Sequence, residues 1–298
     1  MLVTGKGGVG KTTVAAALGL KAARAGKRAV VCEVAQQERL AALFGVGSNG
    51  YTERELAPGL AGISIDPEAA KQEWLRYQLR SGTLAGLLGH SRIFQLLTAA
   101  APGLDELVTI GKVWELAQLE RKTAQAPVYD LAIVDAPATG HGLAMLAAPK
   151  TFSDVARVGP IHRQAGIIHG FLSDPASTAI LTVALPEEMP VNETLELEGR
   201  LAEELGRGVD QIVVNGVLPE RFSSAEAESL QLAVGSWQGS AAGEGAVRTA
   251  LTEYRRARGQ RAQLGRLRRA AKAPVSTLPY LFAAELGLDE LETLAAKL

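Results

Sequence analysis

The chain has 298 residues, of which 47% are hydrophobic, and its formal net charge at pH 7 is −1. This length allows one large α/β domain, or two small ones, and the near-zero charge gives no reason to expect a nucleic-acid partner. Cys32 is the single cysteine, which excludes an internal disulfide. No apolar run approaches the ~20 residues that span a bilayer and no leader precedes the first motif, so we expect a cytoplasmic protein.

The first predicted strand, residues 2–4, leads into a glycine-rich loop, and an alanine-rich helical pattern follows over 14–25. The loop consists of Gly5, Lys6, Gly7, Gly8, Val9, Gly10, Lys11, Thr12 and Thr13. A strand, such a loop, Lys-Thr and a helix in this order predict a phosphate-binding P-loop, whose backbone N–H groups and helix dipole surround an anion. Lys11 would reach the β- and γ-phosphates of ATP or ADP, and the Thr12 hydroxyl would hold Mg²⁺.

Six further apolar runs bounded by turn signals predict the other strands. They are residues 29–34, 62–65, 129–134, 178–185, 211–214 and 274–278. Continuous runs rich in β-branched residues and separated by helical patterns are typical of a buried parallel sheet. The predicted fold class is therefore α/β, a doubly wound, mostly parallel sheet of the P-loop type. Residues 46–60 have the character of a loop.

A helical pattern without a strand extends over about 67–127 and predicts a helical subdomain that projects from a single P-loop domain, residues 1–298. Its leucines recur at helical spacing, which favours core packing; a partner-binding groove is the alternative. Further helical segments are predicted at about 150–173, 192–205 and 223–272, with a loose connection over 235–245. The arginines between 255 and 269 make the last segment basic, which indicates a solvated helix face, an acidic partner or a membrane surface.

Two polar residues come at the ends of predicted strands, where ligands of such sheets bind. Asp135 follows the run 129–134, and a carboxylate at this place can hold Mg²⁺ through water; a helix N-cap is the alternative. Asn215 follows the run 211–214, and its amide offers both a donor and an acceptor to a purine edge. An ordinary turn residue is the alternative there.

The loop reads GKGGVGKTT, and the lysine after its first glycine makes it resemble the deviant P-loop of a class of ATPases that includes nitrogenase iron protein. Further segments resemble, in order and spacing, the arsenite-pump and tail-anchored-protein-targeting ATPases of that class. They are DAPATGH at 135–141, PGLDE at 102–106, Pro186-Glu187 followed by Glu193-Thr194, and Val214-Asn215. The resemblance covers the chain from the P-loop to at least Pro219.

The resemblance implies an ATP-binding, Mg²⁺-dependent ATPase that works as a nucleotide-gated dimer with facing P-loops. Lys6, Lys11 and Asp135 would be catalytic, with Lys6 reaching the partner's nucleotide and Asp135 as the second-switch carboxylate. The resemblance also implies that Glu187 contacts the nucleotide of the partner subunit. The residues implied to contact adenine are Asn215, Pro279 and Tyr280.

One departure from the family's pattern concerns hydrolysis. After its second strand the family has an aspartate that positions the attacking water, and that position falls on Ala35 here. Loss of such a group typically costs ~100- to 10,000-fold in rate, so we expect slow hydrolysis. Glu33 or Glu38 would substitute only through a shifted loop.

Other departures concern what the ATPase acts on. No thiolate cluster for arsenite and no Cys-x-x-Cys zinc clamp occur, and Met145 and Met189 are the only internal methionines. A leucine-lined groove could still handle a hydrophobic protein client. The alternatives are a weakly or non-hydrolysing subunit that pairs with an active paralogue, which Ala35 favours, and an ATPase positioned on membrane or DNA, which only the arginines favour. The partner is thus a second copy or a paralogue.

Overall fold

The computed structural model describes residues 1–34, 39–48, 50–79, 101–123, 125–235 and 239–298. The strands of this part are β1 (Leu2–Gly5), β2 (Ala29–Val34), β3 (Arg54–Ala57), β4 (Leu60–Ile65), β5 (Leu131–Asp135), β6 (Ile180–Ala184), β7 (Gln211–Val217) and β8 (Val275–Pro279). The helices are α1 (Lys11–Arg24), α2 (Arg39–Leu43), α3 (Pro67–Leu79), α4 (Leu104–Leu116), α5 (Thr139–Ala156), α6 (Pro160–Ser173), α7 (Glu188–Leu205), α8 (Ser224–Gly235), α9 (Ala241–Ala270) and α10 (Leu288–Ala295).

The strands form one sheet in the order β3-β4-β2-β5-β1-β6-β7-β8. Every neighbouring pair is parallel except β3 and β4, which are antiparallel. Helices cover both faces of the sheet. The predicted fold class, a doubly wound and mostly parallel α/β sheet, is therefore confirmed.

Two apolar layers hold the helices to the sheet, because successive strand residues point to opposite faces. On one face Val30 belongs to the same buried cluster as Leu146 of α5. On the other face Val31 belongs to a cluster with Ala16 of α1 and Leu294 of α10. The alanines of α1 let this helix lie close to the strands, which fixes the start of α1 above the sheet.

The strand β1 lies in the interior of the sheet, between β5 and β6, although it has only four residues. Leu2 pairs with Val134 on one side and with Ile180 on the other. Because β1 is parallel to β2, β5, β6, β7 and β8, all these strands end at the same edge. The loops that follow them, including the glycine-rich loop, therefore come together there.

The prediction of a loop over residues 46–60 is wrong at residues 54–57, which form the edge strand β3, and at residue 60, where β4 begins. β3 and β4 are joined by Pro58 and Gly59, and Gly59 has a φ of +79°, as the third position of a type II turn requires. Arg54 and Glu55 are exposed, so this edge strand lacks the apolar run by which the other strands are recognised. The Pro-Gly pair was the signal for the turn.

Several helix boundaries differ from the predicted ones. α7 begins at Glu188 rather than at 192, α9 begins within the expected connection 235–245, and α5 begins at Thr139, well before 150. In the expected helical stretch 67–127, α4 ends at Leu116 and the described residues after it are not helical. The leucines of residues 84–97 lie outside the described residues. None of the described helices is long and apolar enough to cross a membrane.

Candidate functional site

The loop between β1 and α1 has a conformation that requires glycine at two positions. Gly10 has a φ of +91°, and a Cβ atom there would lie 2.3 Å from Nδ2 of Asn215. Gly5 has a φ of +140°, and a Cβ atom there would lie 2.2 Å from the backbone oxygen of Val183. Neither the positive φ nor the contact suits a side chain, so the loop is tied closely to β6 and β7.

The start of α1 offers backbone donors to the space above the loop. Gly10 is the N-cap, no side chain caps the helix, and its first turn contains no acidic residue. The first N–H groups of an α-helix have no partner within the helix, and they carry the positive end of its dipole. An uncapped helix start directly after a glycine-rich loop is therefore suited to bind an anion.

The Lys11 side chain is folded back over this loop. Its Nζ donates a hydrogen bond to the backbone oxygen of Lys6 at 2.9 Å. Burial lowers the pKa of Lys11, the Asp135 carboxylate acts against that effect, and the Arg39 guanidinium adds to it. The ammonium group is thus held where it would meet an anion bound by the loop.

Thr12 and Asp135 come together although they are 123 positions apart in the chain, with the Thr12 hydroxyl donating to Oδ2 of Asp135 at 2.5 Å. Asp135 is 8% exposed, and burial raises its pKa, against the Thr12 hydrogen bond and the charges of Lys11 and Arg39. Its Oδ1 is buried without a hydrogen-bond partner among the described residues. A hydroxyl and a carboxylate oxygen are ligands of the kind that Mg²⁺ takes, so these residues fit that ion.

These groups line a cleft of about 640 Å³, here called the loop cleft. The residues from the loop that line it are Gly7, Gly8, Gly10, Lys11, Thr12 and Thr13, and further lining residues are Arg39, Asp135, Glu285 and Leu286. Its volume is within the ~300–1,000 Å³ of typical small-molecule sites. The cleft combines backbone donors, a lysine and a carboxylate, which is the chemistry that binding a phosphate with a metal ion requires.

The position of the missing aspartate, Ala35, lies outside the described residues, as does Glu38. Glu33 is described, and it is 1% exposed. Its Oε1 accepts the backbone N–H groups of Arg39 at 2.7 Å and of Leu40 at 3.1 Å. Glu33 thus anchors the start of α2 and does not line the loop cleft, which makes it unsuited to activate a water molecule there.

Lys6 and Glu187, which the family resemblance assigns to contacts across a dimer, are at the surface of the chain. Lys6 Nζ forms an ion pair with Glu193 Oε1 at 2.8 Å, and both side chains are about one-third exposed. Glu187 is the exposed N-cap of α7. Neither side chain lines the loop cleft, so within the single chain neither joins the predicted residues that do.

The residues assigned to adenine lie on the other side of the glycine-rich loop from Asp135. Nδ2 of Asn215 donates to the backbone oxygen of Val9 at 3.0 Å, while the Val9 side chain is buried. Pro279 ends β8, and the Tyr280 backbone N–H donates to the oxygen of Val217. Tyr280 is half-exposed and does not line the loop cleft, so the structure brings only part of the predicted set together.

The structure also places side chains in the loop cleft that the sequence patterns did not point out. Arg39 belongs to α2, and Glu285 and Leu286 belong to the segment before α10. Arg39 could have been noticed, since it follows the second strand, after which the sequence resemblance places a water-positioning aspartate. For Glu285 and Leu286 the sequence offers no signal, because only the packing of α10 on α1 brings them near the loop.

A second cavity, of about 180 Å³, lies between α3, α4 and α6 and is here called the helical pocket. Its walls are mainly apolar and include Trp74, Leu107 and Ile168. Beside it Lys112 pairs with Glu73 at 2.9 Å and with Glu115 at 3.2 Å.

The same ion network extends away from the helical pocket. Arg121 pairs with Glu115 at 2.8 Å and with Glu53 at 2.7 Å, and its side chain is 2% exposed. In this network Lys112 and Arg121 thus each have two carboxylate partners.

Comparison with known proteins gives the family. The profile of the family described as anion-transporting ATPase matches residues 1–169 and 161–233, more than half of the chain. ATPase BagA of Mycobacterium tuberculosis (strain ATCC 25618 / H37Rv) is 36% identical over 225 residues, which are 73% of this chain and 65% of that relative.

Two more distant relatives are also named as ATPases. The arsenical pump-driving ATPase of Acidiphilium multivorum is 30% identical over 262 residues, covering 80% of this chain and 42% of the relative. ATPase GET3C of Arabidopsis thaliana is 25% identical over 276 residues, covering 76% of this chain and 68% of the relative. The chain spans less than two-thirds of the mycobacterial relative and under half of the arsenical one.

Proposed function

Because the chain belongs to the anion-transporting ATPase family, we propose that it binds Mg²⁺-ATP in the loop cleft and hydrolyses it slowly to ADP and phosphate. The observation that carries this proposal is the buried pair of Thr12 and Asp135. Oδ1 of Asp135 has no hydrogen-bond partner among the described residues, although a buried carboxylate oxygen without one is costly. A bound cation beside it would remove that cost.

Each group in the cleft has a distinct part in this proposal. The backbone N–H groups of residues 7–13 and the start of α1 bind phosphate oxygens, and Lys11 binds the β- and γ-phosphates. The Thr12 hydroxyl and, through water, Asp135 would hold Mg²⁺, which supplies positive charge to the phosphates. Asn215 lies in β7, and Pro279 and Tyr280 are at the end of β8, so the base would lie on that side.

Isothermal titration calorimetry with Mg²⁺-ADP and Mg²⁺-ATPγS tests the site. We expect micromolar or tighter binding by the wild type and, for Lys11→Ala, at least ~100-fold weaker binding, because the lysine makes charge-assisted bonds to the phosphates. Lys21→Ala is the matched control, since Lys21 is an exposed lysine on the same helix. Equal heats for the wild type and Lys11→Ala would refute the assignment.

A second candidate, a weakly or non-hydrolysing subunit that pairs with an active paralogue, is favoured by Ala35 and by the anchoring role of Glu33. The two candidates differ in turnover and not in binding. Phosphate release by Ala35→Asp, compared with the wild type and Ala35→Ser, separates them. A large rise in rate in the aspartate variant alone would show that the missing carboxylate limits hydrolysis, and no rise would favour a subunit that does not hydrolyse.

We further propose that nucleotide closes two subunits, identical or paralogous, with their loops facing each other. Lys6 supports this, because its ammonium group is partly exposed and, as far as the described residues show, is held by a partly exposed ion pair with Glu193. Light scattering with saturating Mg²⁺-ATPγS should show a dimer for the wild type and a monomer for Lys6→Ala. Lys27→Ala, an exposed lysine beyond the end of α1, is the control, and a monomeric wild type would count against the proposal.

A hydrophobic protein client is the proposed cargo, and the mainly apolar helical pocket supports it. A fluorescent peptide with an apolar helix should bind to the ATPγS-loaded protein more tightly than to the ADP-loaded one. Ile161→Glu, which puts a charge at a partly exposed position of the pocket wall, should abolish that difference and leave nucleotide binding unchanged. Equal peptide binding in both nucleotide states would contradict the proposal.

A further inference from the structure

Arg39 is fixed in the loop cleft by a buried anchor beneath it. It begins α2, and its backbone N–H and that of Leu40 both donate to Oε1 of Glu33. Glu33 is 1% exposed and lies on β2, one residue before the end of this strand. The start of α2 is thus tied to the sheet, so the direction in which the Arg39 side chain leaves the backbone is set by the fold.

Among the described residues, no carboxylate pairs with the guanidinium group of Arg39. The ion pairs within the described part of the chain do not include it, whereas the buried Arg121 has two carboxylate partners. Instead, Arg39 lines the loop cleft together with Lys11. Two cations that face one cleft repel each other, and an anion bound between them removes this repulsion.

The side of the cleft on which Arg39 lies corresponds to one end of a bound nucleotide. In the sheet, β5 is next to β1 and β2 follows it, whereas β7 lies on the opposite side of β1. Asp135 and Arg39 are therefore on one side, and Asn215 is on the other. Thr12 and Asp135 would hold the metal ion that supplies positive charge to the β- and γ-phosphates, and Asp135 lies on the side of Arg39. We therefore expect the terminal phosphate on that side.

We propose that Arg39 binds the γ-phosphate of ATP and thereby sets a preference of the loop cleft for ATP over ADP. The inference rests on the proposed function, since it needs a nucleotide in that cleft. A guanidinium group binds phosphate oxygens with two parallel hydrogen bonds, which a lysine cannot reproduce. Because α2 is anchored through Glu33, loss of the γ-phosphate would release the arginine side chain while the helix stays attached to the sheet.

Calorimetric titration with Mg²⁺-ATPγS and, separately, with Mg²⁺-ADP tests the proposal on the wild type, Arg39→Ala, Arg39→Lys and Arg255→Ala. Arg39→Ala should bind ATPγS ~10- to 100-fold more weakly, the loss typical of a charged hydrogen bond, and ADP within about threefold of the wild type. The affinity of Arg39→Lys for ATPγS should lie between those of Arg39→Ala and the wild type. Arg255 is an exposed arginine of α9 outside the cleft, so Arg255→Ala should behave like the wild type.

The outcomes distinguish the inference from the proposed function. Unchanged ATPγS binding by Arg39→Ala, or an equal loss for ATPγS and ADP, would overturn the γ-phosphate assignment and leave the nucleotide site intact. A wild type that binds neither nucleotide would overturn the proposed function and this inference with it. Without nucleotide, Arg39→Ala should unfold at the same temperature as the wild type or at a slightly higher one, because it removes the repulsion with Lys11. If it unfolds at a lower temperature, the comparison of ATPγS with ADP in Arg39→Lys decides whether Arg39 binds the γ-phosphate.

Discussion

The loop cleft and the helical pocket differ in whether their charged groups have partners within the chain. Beside the helical pocket, Lys112 and Arg121 are neutralised by the carboxylates of Glu73, Glu115 and Glu53. In the loop cleft, one oxygen of Asp135 lacks a hydrogen-bond partner and Arg39 lacks a carboxylate, as far as the described residues show. Charge that the chain neutralises itself supports the fold, whereas charge that it leaves without a partner indicates a ligand.

The difference has a simple energetic basis. A buried ion contributes little to stability when it is paired, but removing its partner costs several kcal/mol, because a desolvated charge is left behind. The network of Arg121 is therefore a structural element that connects α4 to β3 and β5, through Glu115, Glu53 and the hydrogen bond from Tyr129 to Glu53. The loop cleft bears a cost in the free protein that binding would offset.

The largest expected effect on stability is that of Arg121→Ala. The substitution leaves the carboxylates of Glu53 and Glu115 without their main partner, and we expect a loss of about 3–5 kcal/mol in the free energy of unfolding. Nucleotide affinity under native conditions should not change, since the network does not line the loop cleft. Urea unfolding followed by circular dichroism measures the loss, with Arg255→Ala as the control. A loss below about 1 kcal/mol would show that these charges are not structurally coupled.

Asp135→Asn should have an effect of intermediate size. We expect it to raise stability without nucleotide and to weaken nucleotide binding. Burial raises the pKa of Asp135 above 3.8, so above that pH its carboxylate costs stability in the folded protein, and neutral asparagine removes the cost. We expect a higher unfolding temperature without nucleotide and ~10- to 100-fold weaker Mg²⁺-dependent nucleotide binding. Differential scanning calorimetry, and titrations with Mg²⁺ or EDTA, measure the two effects. An unchanged gain in affinity from Mg²⁺ would exclude Asp135 from the metal site.

The smallest expected effect is that of breaking the ion pair between Lys6 and Glu193. Both side chains are about one-third exposed, and such pairs contribute about 0.2–1 kcal/mol. Glu193→Gln should therefore lower the free energy of unfolding by less than about 1 kcal/mol, and 0.5 M salt should reduce that difference further. A loss above about 2 kcal/mol in urea unfolding would mean that the pair belongs with the structural charges around the helical pocket.

The glycine-rich loop and the strands show how much could be read from local patterns. The predicted strand at 29–34 coincides with β2, and the order of glycines, Lys11 and Thr12 predicted a loop between a strand and a helix, as observed. The segments at 102–106 and 135–141 predicted the family, which the comparison confirmed. These features depend on residues close together in the chain, so spacing and periodicity are enough to find them.

Edge strand β3 and the separation of the predicted site residues were not predictable in the same way. β3 is polar on its exposed side and is a strand only because β4 pairs with it. Asn215 lies inside β7, which extends to Val217 rather than ending at 214, and Tyr280 follows β8. The order of β6, β7 and β8 puts both on the opposite side of the loop from Asp135. Strand order is decided by long-range packing, whereas the periodicity of apolar residues predicts only the type of each separate segment.

By itself, the sequence determined the fold class, the family and the glycine-rich loop, because each can be recognised from residues that are close together in the chain. Only the tertiary structure decided that Thr12 meets Asp135, that Glu33 is used to anchor α2, and that Arg39 and Glu285 face the same cleft. These contacts join residues on separate strands and loops. They exist because the parallel sheet brings the carboxyl ends of its strands to one edge, which no local pattern encodes.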